Sequence, residues 1–182
     1  MHGGRNGMVE NCKLLTFDQK GDDRGHLVII EGNQDIPFDI KRVFYIYGSD
    51  KDVIRGRHAN YNSEFVLINV AGTSKVKVDD GTNQKVFDLD RPHIGIYLPK
   101  LVWKDMYDFS EDSVLLCLAS EHYDPTEYIR DYDAFYEYII YSIKNGKTSG
   151  RVAFEHTVCR DFESAYDYLQ MCIKIVDTLH LN

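Results

Sequence analysis

The chain has 182 residues, 43% hydrophobic and 27% charged, with a formal net charge of -8. That size suits one domain able to bury its own core, and the acidic balance argues against nucleic acid or an anionic membrane surface as a partner. No apolar run approaches bilayer length, and Cys12, Cys117, Cys159 and Cys172 show neither C-x-x-C spacing nor a disulfide framework, so reduced thiols in a cytoplasmic protein are expected. The Gly-rich lead M-H-G-G-R-N-G-M lacks the apolar stretch of a signal peptide, and residues 1–11 are expected to be a flexible or tag-derived start.

From residue 27 to 119 the pattern predicts short strands at 27–31, 42–47, 64–70, 74–78, 84–89, 94–98 and 113–119. Val76 and Val78 alternate with Lys75 and Lys77, and Asp79-Asp80-Gly81 supplies the turn of a hairpin. Many short strands without intervening helices predict a mainly β fold, an antiparallel barrel or double sheet. The pattern changes after Tyr123. Pro125-Thr126-Glu127 is expected to open a helix, with Tyr128, Ile129, Tyr132, Phe135, Tyr136 and Ile139 at helical spacing. Residues 144–150 read as a linker, and Phe162, Ala165, Tyr166, Leu169, Ile173, Val176 and Leu179 trace one face of a long amphipathic helix. The expected organisation is a barrel domain over 12–140 and a C-terminal helical extension over 141–182.

The segment R-G-R-H-A-N (55–60), followed by Glu64 and Gly72, carries the chemistry. On a strand His58 and Asn60 project from the same face, here the barrel interior. The pattern resembles the first motif of the cupins, in which H-x-H and a following Glu bind a metal ion. With Asn60 at the second histidine position and no histidine in P-K-L-V-W-K (99–104), too few good ligands remain, and a metal-free barrel without cofactor is expected. His58 is then available for proton transfer.

Five blocks sharpen the resemblance: D-D-R-G-H-L (22–27), I-P-F-D-I-K-R-V-F-Y-I (36–46), I-R-G-R-H-A-N (54–60), I-G-I-Y-L-P-K-L-V-W-K-D-M-Y-D-F (94–109) and L-A-S-E-H-Y-D-P-T-E-Y-I-R-D-Y-D (118–133). Over residues 12–140 they resemble the sugar-nucleotide 3,4-ketoisomerases. The resemblance implies a cupin, or RmlC-like, jelly-roll barrel, a homodimer, and a dTDP-linked 4-keto-6-deoxy sugar as substrate. It places His58 as the principal catalytic residue and Asn60 where a second histidine assists. It also makes Arg24 a determinant of the face on which C4 is protonated, with arginine implying a galacto-configured product.

Moving a ketone from C4 to C3 requires loss of the C3 proton, an enediol, and proton delivery to C4. An imidazole titrating near neutrality suits both transfers. Arg24, Tyr45 and Lys104 are candidates for stabilising the enediolate oxygen. Arg42 and Arg55 suit a pyrophosphate, and Tyr97 and Trp103 could hold the thymine or sugar ring. The competing readings are a 3,5-epimerase on the same substrate class and a barrel that binds a sugar nucleotide without turnover.

Overall fold

A computed structural model describes Val9 and residues 11–144. Twelve strands precede or flank a single helix among the described residues: β1 (Lys13–Thr16), β2 (Gln19–Asp22), β3 (Gly25–Val28), β4 (Arg42–Tyr47), β5 (Arg55–Asn60), β6 (Phe65–Ala71), β7 (Ser74–Asp79), β8 (Gln84–Leu89), β9 (Ile94–Leu98), β10 (Trp103–Tyr107), β11 (Val114–Ala119), β12 (Tyr128–Ile129) and α1 (Tyr132–Lys144). Two five-stranded antiparallel sheets, ordered β1-β9-β6-β11-β4 and β12-β5-β10-β7-β8, face one another, and β2 and β3 form a separate ribbon. This is the expected jelly-roll barrel.

The barrel core lies between the sheets, where Phe65, Leu67, Val76, Val78, Ile96, Leu98, Met106, Leu115 and Cys117 interdigitate. Strand β6 is buried on both sides. Phe65 and Leu67 point into the barrel, while Val66 and Ile68 pack outward against Phe17, Ile36 and Phe38. That double burial is why 64–70 reads as a continuous apolar run. The second sheet has a different cover. Ala59, Leu101, Trp103 and Ile129 on its outer face meet Phe135 and Tyr138 of α1. The alternation expected in β7 is present, with Val76 and Val78 inside and Lys75 and Lys77 half-exposed. Its hairpin to β8 turns at Gly81.

Four expectations change. Val9, read as part of a flexible start, is buried in the barrel core. The helix expected from Pro125 begins at Tyr132: Pro125–Glu127 make one 3-10 turn, and Tyr128 and Ile129 add an edge strand to β5. A single turn capped by Asp124 cannot hold Tyr128 in a helix when β5 offers two backbone pairings. Strand β10 was hidden by Lys104 and Asp105, which make W-K-D-M-Y look polar although Lys104 points inward. Strands β1 and β2 likewise lack an apolar period. The long amphipathic helix expected after residue 160 lies outside the described residues.

Helix α1 is fixed at its start by two anchors. Asp131 accepts from the Ala134 backbone N–H at 2.8 Å, and the Tyr132 hydroxyl donates to Asp79, a carboxylate only 3% exposed. Phe135 is fully buried against the sheet. Phe135→Ala is expected to lower the unfolding free energy by about 3–5 kcal/mol. Tyr132→Phe is expected to lower it by about 1 kcal/mol, because Asp79 keeps its other donors. Urea unfolding of both variants checks this.

Candidate active site

His58, Asn60 and Lys104 meet inside one end of the barrel. A bulge prepares the position: β10 pairs Lys104 with His58 but Asp105 with Gly56, so Arg57 is the extra residue on β5. Gly56 and Arg57 both take positive φ, 85° and 54°. A side chain at Gly56 would also lie 2.6 Å from the Lys104 carbonyl oxygen. The bulge curls the backbone so that the Gly56 carbonyl reaches the His58 ring, 2.9 Å from Nδ1. A carbonyl only accepts, so Nδ1 carries the hydrogen and Nε2 keeps its lone pair.

The Lys104 ammonium donates to Asn60 Oδ1 at 2.6 Å and sits 4.6 Å from the centre of the Phe65 ring. Lys104 and Asn60 are 4% and 2% exposed. Burial is the main cause pushing the Lys104 pKa down to about 7; the Arg42 charge adds to it, against the pull of Glu127 and Cys117. His58 is pushed down to about 3, first by burial and then by the charges of Lys104 and Arg130, with the Gly56 contact opposing. Its ring is therefore held neutral rather than poised near neutrality as its type alone suggests. The Asn60 amide nitrogen is buried and has no partner among the described residues.

An aromatic and cationic rim surrounds these groups. Arg42 and Phe44 pair across β11 with Ala119 and Cys117, so both face inward. The Arg42 guanidinium lies 5.2 Å from the Phe44 ring and 5.6 Å from the Tyr123 ring. Tyr128 meets His58 edge to face at 4.8 Å. Arg130 lies 4.6 Å from the other end of this stack, over the Tyr128 ring. A groove of about 660 Å³, lined in part by Asn62, Lys100, His122, Tyr123 and Glu127, adjoins the rim at Tyr123.

Of the residues singled out from sequence, the structure brings His58, Asn60, Lys104 and Arg42 together. It places the others elsewhere. Tyr45 pairs with Leu116 on the outer face of its sheet, because odd and even positions of β4 point oppositely. Trp103 is buried under α1, edge to face with Tyr132 and donating from Nε1 to Asp105. Tyr97 packs outward beside Phe38, and burial with the neighbouring Glu64 carboxylate, to which it hydrogen-bonds, pushes its hydroxyl up to about 12. Arg55 is exposed, with Nε 3.3 Å from Ser49 Oγ. Arg24 sits on the ribbon, its guanidinium bound to Asp22 and 86% exposed. Of the tyrosines expected at helical spacing, Tyr132 packs against Trp103 and Tyr136 is exposed, whereas Tyr128 joins the rim beside His58. The missed signal is the alternation Tyr128-Ile129-Arg130, in which Ile129 alone faces the α1 cluster.

This geometry is that of a cupin barrel with an imidazole, an amide and an ammonium gathered at one end. The family model described as FdtA (WxcM-like, C-terminal) matches residues 10–153. The chain belongs to that family. It is 46% identical over 131 residues to TDP-4-oxo-6-deoxy-alpha-D-glucose-3,4-oxoisomerase of Aneurinibacillus thermoaerophilus, covering 72% of this chain and 94% of that one. Among solved structures it resembles a histidine-to-asparagine mutant of the QdtA 3,4-ketoisomerase of Thermoanaerobacterium thermosaccharolyticum, in complex with TDP-4-keto-6-deoxyglucose (45% identity, TM-score 0.71, covering 72% of this chain and 96% of that one). It also resembles the WlaRB TDP-quinovose 3,4-ketoisomerase of Campylobacter jejuni (44% identity, TM-score 0.68, 70% and 98% covered).

A pH dependence of stability follows from His58. With its pKa lowered from 6.5 to about 3 on folding, the unfolded chain binds the extra proton between those values, so stability falls as pH drops through that window. His58→Asn removes this contribution. The melting temperature of the variant is expected to fall less steeply than that of the parent between pH 6.5 and 4, as read by differential scanning calorimetry.

Proposed function

We propose that this chain is a sugar-nucleotide 3,4-ketoisomerase that converts dTDP-4-keto-6-deoxy-D-glucose to the 3-keto isomer through an enediol. The observation that carries the reading is the neutral His58 imidazole, its Nδ1–H committed to Gly56 and its Nε2 lone pair free to take a proton, beside a buried ammonium.

Nε2 abstracts the C3 proton, which the neighbouring carbonyl acidifies, and the C3–H electron pair becomes the C3–C4 double bond. Negative charge collects on the C4 oxygen, where Lys104 stabilises it: a charge in a water-poor interior interacts far more strongly than in solution. The C4 oxygen takes a proton, the C3 hydroxyl loses one, and C4 is protonated. Two protons leave the sugar and two return, so no oxidant is required. An anionic substrate beside the imidazole raises its proton affinity from the low value set by burial, and this makes His58 an effective base when substrate is bound. Arg42 and Arg130 bind the diphosphate.

Several finer points are expectations of the same reading. Arg24 favours the galacto-configured product, and since it stands apart from His58 in the single chain, its part in the reaction would be taken across a homodimer. The product feeds synthesis of a 3-amino-deoxy sugar in the cytoplasm, and neither metal ion nor cofactor is needed. Among the described residues no helix is long and apolar enough to cross a membrane.

Incubation with dTDP-4-keto-6-deoxyglucose in deuterated water, followed by NMR, tests the proposal. Isomerase action places deuterium at C4 and moves the ketone to C3. Label at C3 and C5 with an unmoved ketone would mean a 3,5-epimerase, and no label would mean a binding protein. His58→Ala and His58→Asn are each expected to abolish turnover with dTDP binding nearly intact, and exhaustive chelation is expected to leave the rate unchanged.

A further inference from the structure

Glu127 is one of the few charged side chains withdrawn from solvent, at 4% exposure, and the proton-transfer chemistry above does not use it. Its carboxylate accepts from four donors of the turn after β5. Oε2 accepts from the backbone N–H of Asn62 at 3.0 Å, the backbone N–H of Ser63 at 2.9 Å and the Ser63 hydroxyl at 2.9 Å. Oε1 accepts from the Asn62 side-chain amide at 2.6 Å. Its own backbone carbonyl accepts from the Tyr61 N–H at 3.1 Å. Five hydrogen bonds thus rivet the turn after β5 to the residue before β12.

Both riveted segments end in the active site. β5 delivers His58 and Asn60, and β12 delivers Tyr128 against the His58 ring. β12 itself is an edge strand with only two residue pairs, Tyr128 to Asn60 and Ile129 to Ala59, too short to fix its own place. The clamp also sets an electrostatic balance. The groups acting on Lys104 are Arg42 from β4, Cys117 from β11 and Glu127, and Glu127 works against burial to keep the ammonium charged. Lys104 and Arg130 in turn act on His58.

We infer that Glu127 is a positioning residue for the isomerisation: its carboxylate locks the Tyr128 edge strand onto β5 and so fixes the orientation of the His58 imidazole and its partner pair Asn60–Lys104. This rests on the ketoisomerase reading, and it adds a residue whose two carboxylate oxygens are both taken by the turn after β5. A glutamine here keeps its partners once the Asn62 amide turns its Oδ1 to the new NH₂, whereas alanine removes all four side-chain bonds.

The test compares Glu127→Ala with the parent in three measurements: kcat for dTDP-4-keto-6-deoxyglucose, the Kd of dTDP by calorimetry, and the His58 imidazole followed by ¹⁵N NMR titration. The expected result is a kcat at least about tenfold lower with dTDP affinity within about threefold of the parent, and a His58 that titrates at higher pH because the loosened wall admits water. A kcat within about twofold of the parent, or kcat and affinity lost by the same factor, overturns the inference. If Glu127→Ala gives no cooperative melt, Asn62→Ala, which removes only the Oε1 bond, is read by the same criteria. If the parent itself does not isomerise the sugar, the functional reading fails, and the His58 titration decides the clamp alone: an unchanged titration overturns it, a raised one sustains it.

Discussion

An ammonium group inside a β-barrel is the constraint around which this protein is arranged. Lys104 has left water almost completely, and what it meets is one amide oxygen, one aromatic face and a neutral imidazole across the strand pair. Burying a charge with so little direct compensation is costly. The surroundings account for how it is tolerated: the Lys104 pKa drops towards 7, so the charge is easily given up, and His58 is denied a proton that would place two cations side by side. A dry, preorganised cation beside a free lone pair is a poor arrangement for stability and a good one for stabilising an enediolate.

The rest of the fold serves to hold that end of the barrel open and the opposite end shut. Away from the site, Asn69, Ser74 and Ser113 satisfy one another in a buried polar cluster, so the interior there is closed by paired groups. At the site, the Asn60 amide nitrogen and the Arg42 Nε are buried with no partner among the described residues. The two sheets are braced from outside by different means, N-terminal segments on one and α1 on the other, which leaves the mouth as the place where loops and edge strand β12 converge.

Substitution at the cupin ligand positions fits this picture. Where a metal-binding relative would place imidazole, this chain has Asn60, and the amide oxygen is occupied by Lys104. Glu64, the other position suggestive of a ligand, is turned towards Tyr97 on the outer side of its sheet. Asn60 and Glu64 are thus each engaged in a separate local interaction.

Much of this was legible in the sequence. Period-2 alternation and turn chemistry located β4, β8 and β9 to the residue, because those strands have apolar faces that local pattern reveals. His58, Asn60, Lys104 and Arg42 were likewise visible, since strand alternation alone puts the first two on one face. What the sequence could not decide is which side of each sheet a given aromatic occupies. Tyr45, Tyr97 and Trp103 are ring-bearing residues of the right kind, yet they face outward, while Phe44, Tyr123 and Tyr128 line the mouth; a shift of one position along a strand reverses a side chain, and only cross-strand register settles it. The bulge at Arg57 and the short strand β12 depend on backbone pairings of β5 with β10 and β12, segments far apart in the chain, and the Glu127 hydrogen bond to Asn62 that holds β12 spans 65 residues. Local propensity is blind to such partners, so the chemistry was readable from residue types while the walls that orient it were set by tertiary structure.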